Sequence, residues 1–405
     1  MTLPLLLLLQ ISGEQLYQAG RFAEARDALL RDVRSANAKP ETHFWLGYAE
    51  LALGNKPGAI QPFETYLKAS PKDEDVLYAL ARTYAQLAEM SLERIFALDP
   101  KSARAYQMRG IRFELEKEWS KAIESYETAL KLTPSMRGVW SSIARIYARE
   151  LNDASRGRAA AAREPLEPSP SLGIALVEKK QPRNALPHLL EWRSAQPRNP
   201  DAYYYLGEAY TDLKVGAIQR LRAVNDSSYR LHQVLAESYA STHRREEAVE
   251  EYRQVLKLRP GLPGVQFELA RLLTDSAPGE ARALLERELR IDPDHFAAKS
   301  LLGQLLVALH ESETAVPLLE SALAARDSLA GARKALGKAL VETGKPREAL
   351  DHLLRVARED PGDEQIHFVL AQAYRALGLS SEAAREMAIH REVTRKLDAG
   401  NSPPR

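Results

Sequence analysis

The sequence predicts an all-α protein built from repeated pairs of helices, and three observations lead to that prediction. The stretch EKEWSKAIESYETALKLTP at 116–134 spaces its Ala, Tyr, Leu and Pro residues as THRREEAVEEYRQVLKLRP does at 242–260. Apolar residues in both stretches recur at steps of three and four, which is typical of one face of an amphipathic helix. Matching residues also recur 126 positions apart in a larger block, as Pro134 and Pro260 do. The chain therefore carries a duplicated block of several helix pairs.

The composition bounds the classes of function. Of 405 residues, 45% are hydrophobic and 27% are charged, which is typical of a folded chain. A net charge of +1 gives no overall basic field, so we expect no nucleic-acid partner. The chain contains no cysteine, which excludes disulfides, thiolate catalysis and cysteine-ligated metals.

Residues 1–11, MTLPLLLLLQI, allow two interpretations. They form either an export signal or the beginning of the first repeat helix. Against the export signal, no Lys or Arg precedes the apolar run and no small-x-small cleavage motif follows it. The run is shorter than the roughly 18–20 residues that cross a bilayer, so we predict no integral membrane span. An export signal would direct the protein to a bacterial cell envelope, and its absence would leave it in the cytoplasm.

One repeat unit is clearest at 103–136. Its apolar and small residues fall into two groups with helical spacing, separated by the polar sequence EKE. Pro134 then ends the second helix, because proline disfavours helical conformation in the residue before it. The positions that define the unit are Tyr106, Gly110, Phe113, Trp119, Ala122, Tyr126, Ala129 and Pro134.

This series resembles the tetratricopeptide repeat (TPR), a two-helix unit of about 34 residues. The resemblance implies a right-handed superhelical solenoid of about 12 helix-turn-helix repeats, similar to long bacterial TPR arrays. We predict one array at 12–150 and a second at 172–398, the latter ending in a capping helix. The units at 78–100 and 204–226 depart from the pattern, because their second helix follows with almost no turn.

The segment 151–171 interrupts the array. Gly157 and three prolines weaken helix formation, so the segment is either a degenerate repeat that stays packed or a hinge between two arrays. The last residues, 399–405, are predicted to be a disordered tail.

No catalytic, cofactor-binding or metal-binding constellation emerges from the sequence. The nine histidines show no HExxH spacing, and no G-x-S-x-G or G-x-G-x-x-G motif is present. Paired carboxylates such as Glu246 and Glu247 fit a solvated helix face. We therefore expect a protein that is not an enzyme and needs no cofactor.

In the TPR family, first helices line a concave groove that binds peptides or partner helices. The resemblance therefore implies a protein or peptide ligand, and basic residues in the groove favour an acidic one. The candidate groove residues are Phe44, Tyr48, Tyr78, Arg82, Arg104, Gln107, Arg145, Tyr204, Glu208, Arg230, Gln233, Lys334, Lys338, Gln372 and Arg375.

These features predict a scaffold or adaptor that binds protein segments. Two alternatives stay open at this point: a targeting or regulatory subunit of an enzyme complex whose catalytic chain lies elsewhere, and a self-assembling structural array. The sequence does not set the oligomeric state.

Overall fold

A computed structural model describes residues 12–35, 38–164 and 171–401, with side chains described as far as residue 396. Within those ranges every regular element is helical, which confirms the all-α prediction. None of the described helices combines the length and apolar character needed to cross a membrane. The possible leader at 1–11 and residues 402–405 of the expected tail lie outside the described residues.

The chain divides into two compact units, Met1–Arg244 and Arg245–Arg405. The described helices of unit 1 are α1 (Gly13–Gln18), α2 (Phe22–Asp32), α3 (Pro40–Ala52), α4 (Lys56–Ala69), α5 (Glu74–Leu98), α6 (Ala103–Leu115), α7 (Trp119–Leu132), α8 (Val139–Arg145), α9 (Ala154–Ala161), α10 (Leu172–Glu178), α11 (Pro182–Ala195), α12 (Pro200–Val224) and α13 (Tyr229–Ser241). Those of unit 2 are α14 (Arg245–Leu258), α15 (Val265–Leu273), α16 (Pro278–Ile291), α17 (Phe296–Ala308), α18 (Ser312–Ala325), α19 (Ala330–Glu342), α20 (Pro346–Glu359), α21 (Glu364–Ala376) and α22 (Ser380–Asn401).

Regular hairpins share a close contact and a left-handed turn residue. A Cβ on Gly110 would lie 2.5 Å from the Tyr126 ring, so only glycine lets α6 and α7 approach this closely. One residue with positive φ then reverses the chain between the first and second helix. It is glycine in some hairpins and a polar residue in others, and the set is Gly20, Gly54, Lys117, Lys180, His310, Gly344 and Gly378.

The segments 78–100 and 204–226 do not form hairpins. Each belongs to one continuous helix of 25 residues, α5 and α12, with no positive-φ residue inside it. The spacing of the small contact residues explains this. Gly47 and Ala81 are 34 positions apart, whereas Ala81 and Gly110 are only 29 apart, and the same two spacings separate Gly173, Gly207 and Ala236. The five missing residues are those of the turn, so the two helices of the unit fuse.

A fused helix cannot fold back on itself, and α5 and α12 instead pack against each other. They run antiparallel, because Glu74 at the start of α5 accepts a hydrogen bond from Asn225 at the end of α12. Near their middles the rings of Tyr84 and Tyr210 stack with centroids 6.4 Å apart. These tyrosines are equivalent residues of the duplicated block, so a local two-fold relationship passes between them. The first half of each helix therefore pairs with the second half of the other.

We call this mutual pairing of α5 and α12 the exchange. It changes the order in which the first helices of the hairpins stack in unit 1. Helix α5 packs against α13 as well as against α4, and α12 packs against α6 as well as against α11. Glu64 of α4 accepts hydrogen bonds from both Arg183 of α11 and Arg220 of α12. The two copies of the duplicated block are therefore interlocked.

The segment at 151–171 is helical over part of its length. Helix α8 widens into a π-helical turn at Ile146–Glu150, and α9 packs against both parts. A Cβ on Gly157 would lie 2.9 Å from the Cβ of Ala148, so glycine permits this close approach. The boundary between the compact units falls after Arg244 and not in this segment. At the other end of the chain, α22 extends to Asn401, into the segment expected to be a disordered tail.

The exchange predicts a strong effect of Gly207→Val. A Cβ at Gly207 would lie 2.7 Å from Cδ2 of Leu92 on α5, so the substitution should cost about 1–3 kcal/mol of unfolding free energy. Adding Leu92→Ala should recover part of that loss. Urea unfolding followed by circular dichroism measures both effects.

Gly216→Val is the matched control, because a Cβ at Gly216 of the same helix meets no atom within 4 Å. It should change stability by less than about 0.5 kcal/mol. Additive effects of Gly207→Val and Leu92→Ala would contradict the exchanged pairing.

Candidate functional site

Aromatic side chains lie together on α3, the first helix of the second repeat, and we call them the aromatic face. The ring of Phe44 on α3 lies 4.8 Å from that of Tyr48 and 5.1 Å from that of Trp45, measured between centroids. Tyr17 of α1 continues the face, with its ring 5.2 Å from that of Trp45. All four side chains are partly exposed. The face can therefore contact apolar groups of a ligand while its rings support one another.

A polar cluster lies where α5 meets α13, and we call it the Arg230 cluster. It comprises Asp75, Tyr78, Arg82, Arg230, Gln233 and Glu237. Arg230 donates from Nε to Asp75 at 2.6 Å and from Nη1 to Gln233 at 2.9 Å, and its guanidinium carbon lies 4.8 Å from the centre of the Tyr78 ring. Tyr78 donates to Glu237 at 2.6 Å. Burial, followed by the Glu237 carboxylate, raises the pKa of Tyr78, so it stays a hydrogen-bond donor.

The aromatic face and the Arg230 cluster adjoin. Burial raises the pKa of Tyr48, and the carboxylates of Asp75 and Asp73 raise it further, while Arg230 acts in the opposite direction. The Phe44 ring lies 5.3 Å from the ring of Tyr66, whose hydroxyl donates to Asp73, the N-cap residue of α5, at 2.9 Å. Helices α3, α5 and α13 thus present one surface, although α13 is distant from α5 in sequence.

The two copies of the duplicated block build a related cluster where α6 meets α12. This Arg104 cluster comprises Arg104, Gln107, Asp201, Tyr204 and Tyr205. Arg104 donates to Asp201 at 2.7 Å and to Gln107 at 2.6 Å, and its guanidinium carbon lies 4.3 Å from the centre of the Tyr204 ring. Arg104 and Asp201 stand 126 positions from Arg230 and Asp75, respectively. Both ion pairs therefore join one copy of the block to the other.

The two clusters differ in burial. The Arg104 side chain is 6% exposed, against 19% for Arg230. Glu208 lies one helical turn beyond Tyr204, and no described side chain forms an ion pair with it. Burial raises the pKa of Glu208, as does the nearby carboxylate of Asp212, although Lys180 and Arg104 act in the opposite direction.

The remaining candidate residues have contacts of their own. Arg145 on α8 donates to Glu114 of α6 at 2.6 Å. In unit 2, Lys334 of α19 donates to Asp363 at 2.6 Å, and Lys338 lies 3.8 Å from Glu342. Gln372 and Arg375 of α21 are exposed. The candidates of unit 1 thus fall in the aromatic face, the two clusters, Glu208 and Arg145, and those of unit 2 lie on α19 and α21.

The sequence analysis did not predict that acids pair with the candidate cations. Asp75, Asp201, Glu114 and Asp363 each neutralise a side chain expected to give the groove a basic character. A signal for two of them was available, because Asp75 and Asp201 recur at the same offset of 126 as their arginine partners. Among the described residues, no group of three or more His, Asp or Glu side chains is arranged to hold a metal ion.

Comparison with known proteins agrees with the helical hairpins. The sequence model described as "Tetratricopeptide repeat" matches residues 13–74, 234–296 and 334–389. A curated relative, the Hsp70-Hsp90 organizing protein of Triticum aestivum, is 30% identical over 106 residues. That match covers 25% of this chain and 18% of the relative, so the two share only a small part of the relative's length.

Two solved structures are similar over less than half of the chain. One is described as "YrrB: a TPR protein with an unusual peptide-binding site". It is 20% identical with a TM-score of 0.40, and the match covers 44% of this chain and 91% of that one. The other is the MamA protein, 20% identical with a TM-score of 0.37, covering 44% of this chain and 97% of that one.

Because Arg104 is more deeply buried than Arg230, we predict that removing their acidic partners lowers the free energy of unfolding by different amounts. Asp201→Asn removes the anion beside the deeply buried Arg104 and should cost about 2 kcal/mol of unfolding free energy. Asp75→Asn removes the anion beside the more accessible Arg230 and should cost at most about 1 kcal/mol. Thermal and urea unfolding of both variants give the comparison, and an equal or reversed order would contradict the assigned burial.

The raised pKa of Glu208 predicts a pH-dependent stability. Between the ordinary glutamate pKa and the raised one, the folded protein binds more protons than the unfolded chain, so stability falls as pH rises. Glu208→Gln should therefore be more stable than wild type at pH 7. This advantage should shrink as pH falls toward the ordinary glutamate pKa of about 4.3.

The exposed Glu93 on α5 provides the control for this measurement. Glu93→Gln should change the melting temperature little at any pH. A Glu208→Gln advantage that is independent of pH would show that ionisation of Glu208 is not its cause.

Proposed function

Because the matched segments make this chain a member of the tetratricopeptide repeat superfamily, we propose that it is a non-enzymatic adaptor that binds an extended segment of a partner protein. The binding surface is the joined face of α3, α5 and α13. The observation that carries this proposal is the aromatic face of α3 beside the Arg230 cluster. Similarity to a protein named Hsp70-Hsp90 organizing protein supports a role in binding other proteins.

The proposed groove offers two kinds of contact side by side. Phe44 and Tyr48 present partly exposed rings, which suit aliphatic or aromatic side chains of a ligand. Arg82 is half exposed and lies 4.0 Å from Glu237, and Gln233 is partly exposed beside them. These polar groups can hydrogen-bond to the backbone of an extended segment.

The paired charges shape the ligand that we propose for this groove. Asp75 already neutralises Arg230, and Glu237 accepts from Tyr78. A ligand that brings only carboxylates would compete with these internal acids. We therefore propose a segment that combines apolar side chains with an extended, hydrogen-bonding backbone.

Selection of peptides provides the test. Random dodecapeptides displayed on phage are selected against the full chain, and their affinities are measured by fluorescence anisotropy. Arg82→Glu combined with Gln233→Ala should weaken binding of the selected peptides at least tenfold, because each substitution eliminates the hydrogen-bond donors of its side chain.

Arg94→Glu combined with Gln219→Ala is the matched control. Both residues are exposed on α5 and α12 and lie outside the proposed groove. Wild-type affinity in this control supports the proposal. Equal weakening in both double variants, or no change in the groove variant, would place the binding surface elsewhere.

A further inference from the structure

An open cleft of about 610 Å³ lies on the degenerate repeat, between α8 with its π-helical turn and α9. Its floor consists of small residues, among them Ala144, Ala148 and Gly157. Gly157 allows α9 to approach α8 closely, as described above. The small floor leaves room above it, so the longer side chains at its edges determine what the cleft can bind.

Three arginines stand around this floor: Arg145, Arg149 and Arg158. Arg145 is paired with Glu114, whereas neither Arg149 nor Arg158 forms an ion pair with any described side chain. Arg145 and Arg149 are four positions apart, so their like charges repel each other and oppose helix formation. The local structure thus keeps an excess of positive charge that its own acids do not balance. This differs from the two clusters of unit 1, where every candidate arginine has an acid nearby.

The rim of the cleft already receives one carboxylate. Glu164 accepts hydrogen bonds from the backbone N–H groups of Gly138 at 2.5 Å and Ser141 at 2.9 Å, and from the Ser141 hydroxyl at 3.1 Å. Gly138 and Ser141 both line the cleft. A carboxylate is therefore well accommodated at this edge, and the arginines offer planar donors for further ones.

We propose that this cleft binds an acidic peptide segment of a partner protein, whose Asp or Glu side chains pair with Arg149 and Arg158. Charge complementarity selects this occupant, because the cleft offers guanidinium groups above a floor too small to anchor large apolar side chains. The acidic ligand expected from the sequence thus binds at the degenerate repeat. The site lies outside the groove of α3, α5 and α13, and the proposal does not depend on that groove.

The probe is a fluorescein-labelled hexaglutamate with blocked termini, titrated into the full chain at low and high salt. Wild type should bind it saturably, and high salt should weaken binding because exposed ionic contacts are screened. Arg149→Ala combined with Arg158→Ala should lower the affinity at least tenfold. Its melting temperature should match or exceed that of wild type, because both side chains are exposed and their removal relieves repulsion.

Two further variants complete the test. Arg94→Ala combined with Arg222→Ala removes two exposed arginines outside the cleft and should leave affinity unchanged. Arg149→Glu combined with Arg158→Glu should lose hexaglutamate binding and bind hexalysine more tightly than wild type does. The proposal is overturned if wild type shows no saturable binding, if the cleft variant binds as wild type does, or if the control loses as much affinity.

Discussion

The absence of a turn in two helices is the constraint on which the rest of unit 1 depends. Five residues fewer than a regular repeat leave α5 and α12 without a left-handed turn position, so the backbone continues as one helix. Each fused helix then carries two apolar faces that would normally pack within one hairpin. The equivalent helix of the other copy carries the matching faces, and Gly207 against Leu92 shows the substitute contact. Burial of apolar surface therefore forces the two copies of the block to interlock.

The same exchange determines the electrostatics of the candidate groove. Arg230 and Arg104 each find their acid on a helix of the other copy, and each also lies over a tyrosine of that helix. These contacts hold α13 against α5 and α6 against α12, although neither pair of helices is arranged as consecutive repeats of one copy. They also remove most of the net positive charge from the surface, because a paired guanidinium attracts a second anion weakly. The clusters thus stabilise the junction and leave the aromatic rings as the main exposed recognition groups.

The degenerate repeat differs from the two clusters in how its arginines are neutralised. Two of the arginines that line its cleft, Arg149 and Arg158, form no ion pair with the described side chains, and its small residues bring α9 close to α8 without filling the space above them. A segment that weakens the regular pattern of the array therefore combines an accessible cleft with uncompensated charge. Loss of a regular repeat and gain of a binding surface are compatible, because a repeat that no longer needs to pack in register can present its side chains to a ligand.

The sequence by itself determined the helices, their pairing into hairpins and the duplication, since these depend on local spacing of apolar residues, glycine and proline. It also identified the aromatic and basic positions, such as Phe44 and Arg230, because helical periodicity assigns residues to one face. The tertiary structure alone decided that α5 pairs with α12 and that Arg104 is neutralised by Asp201. Those choices depend on which distant apolar faces fit each other. Local spacing cannot encode that fit, because equivalent helices of a duplicated block carry nearly the same pattern.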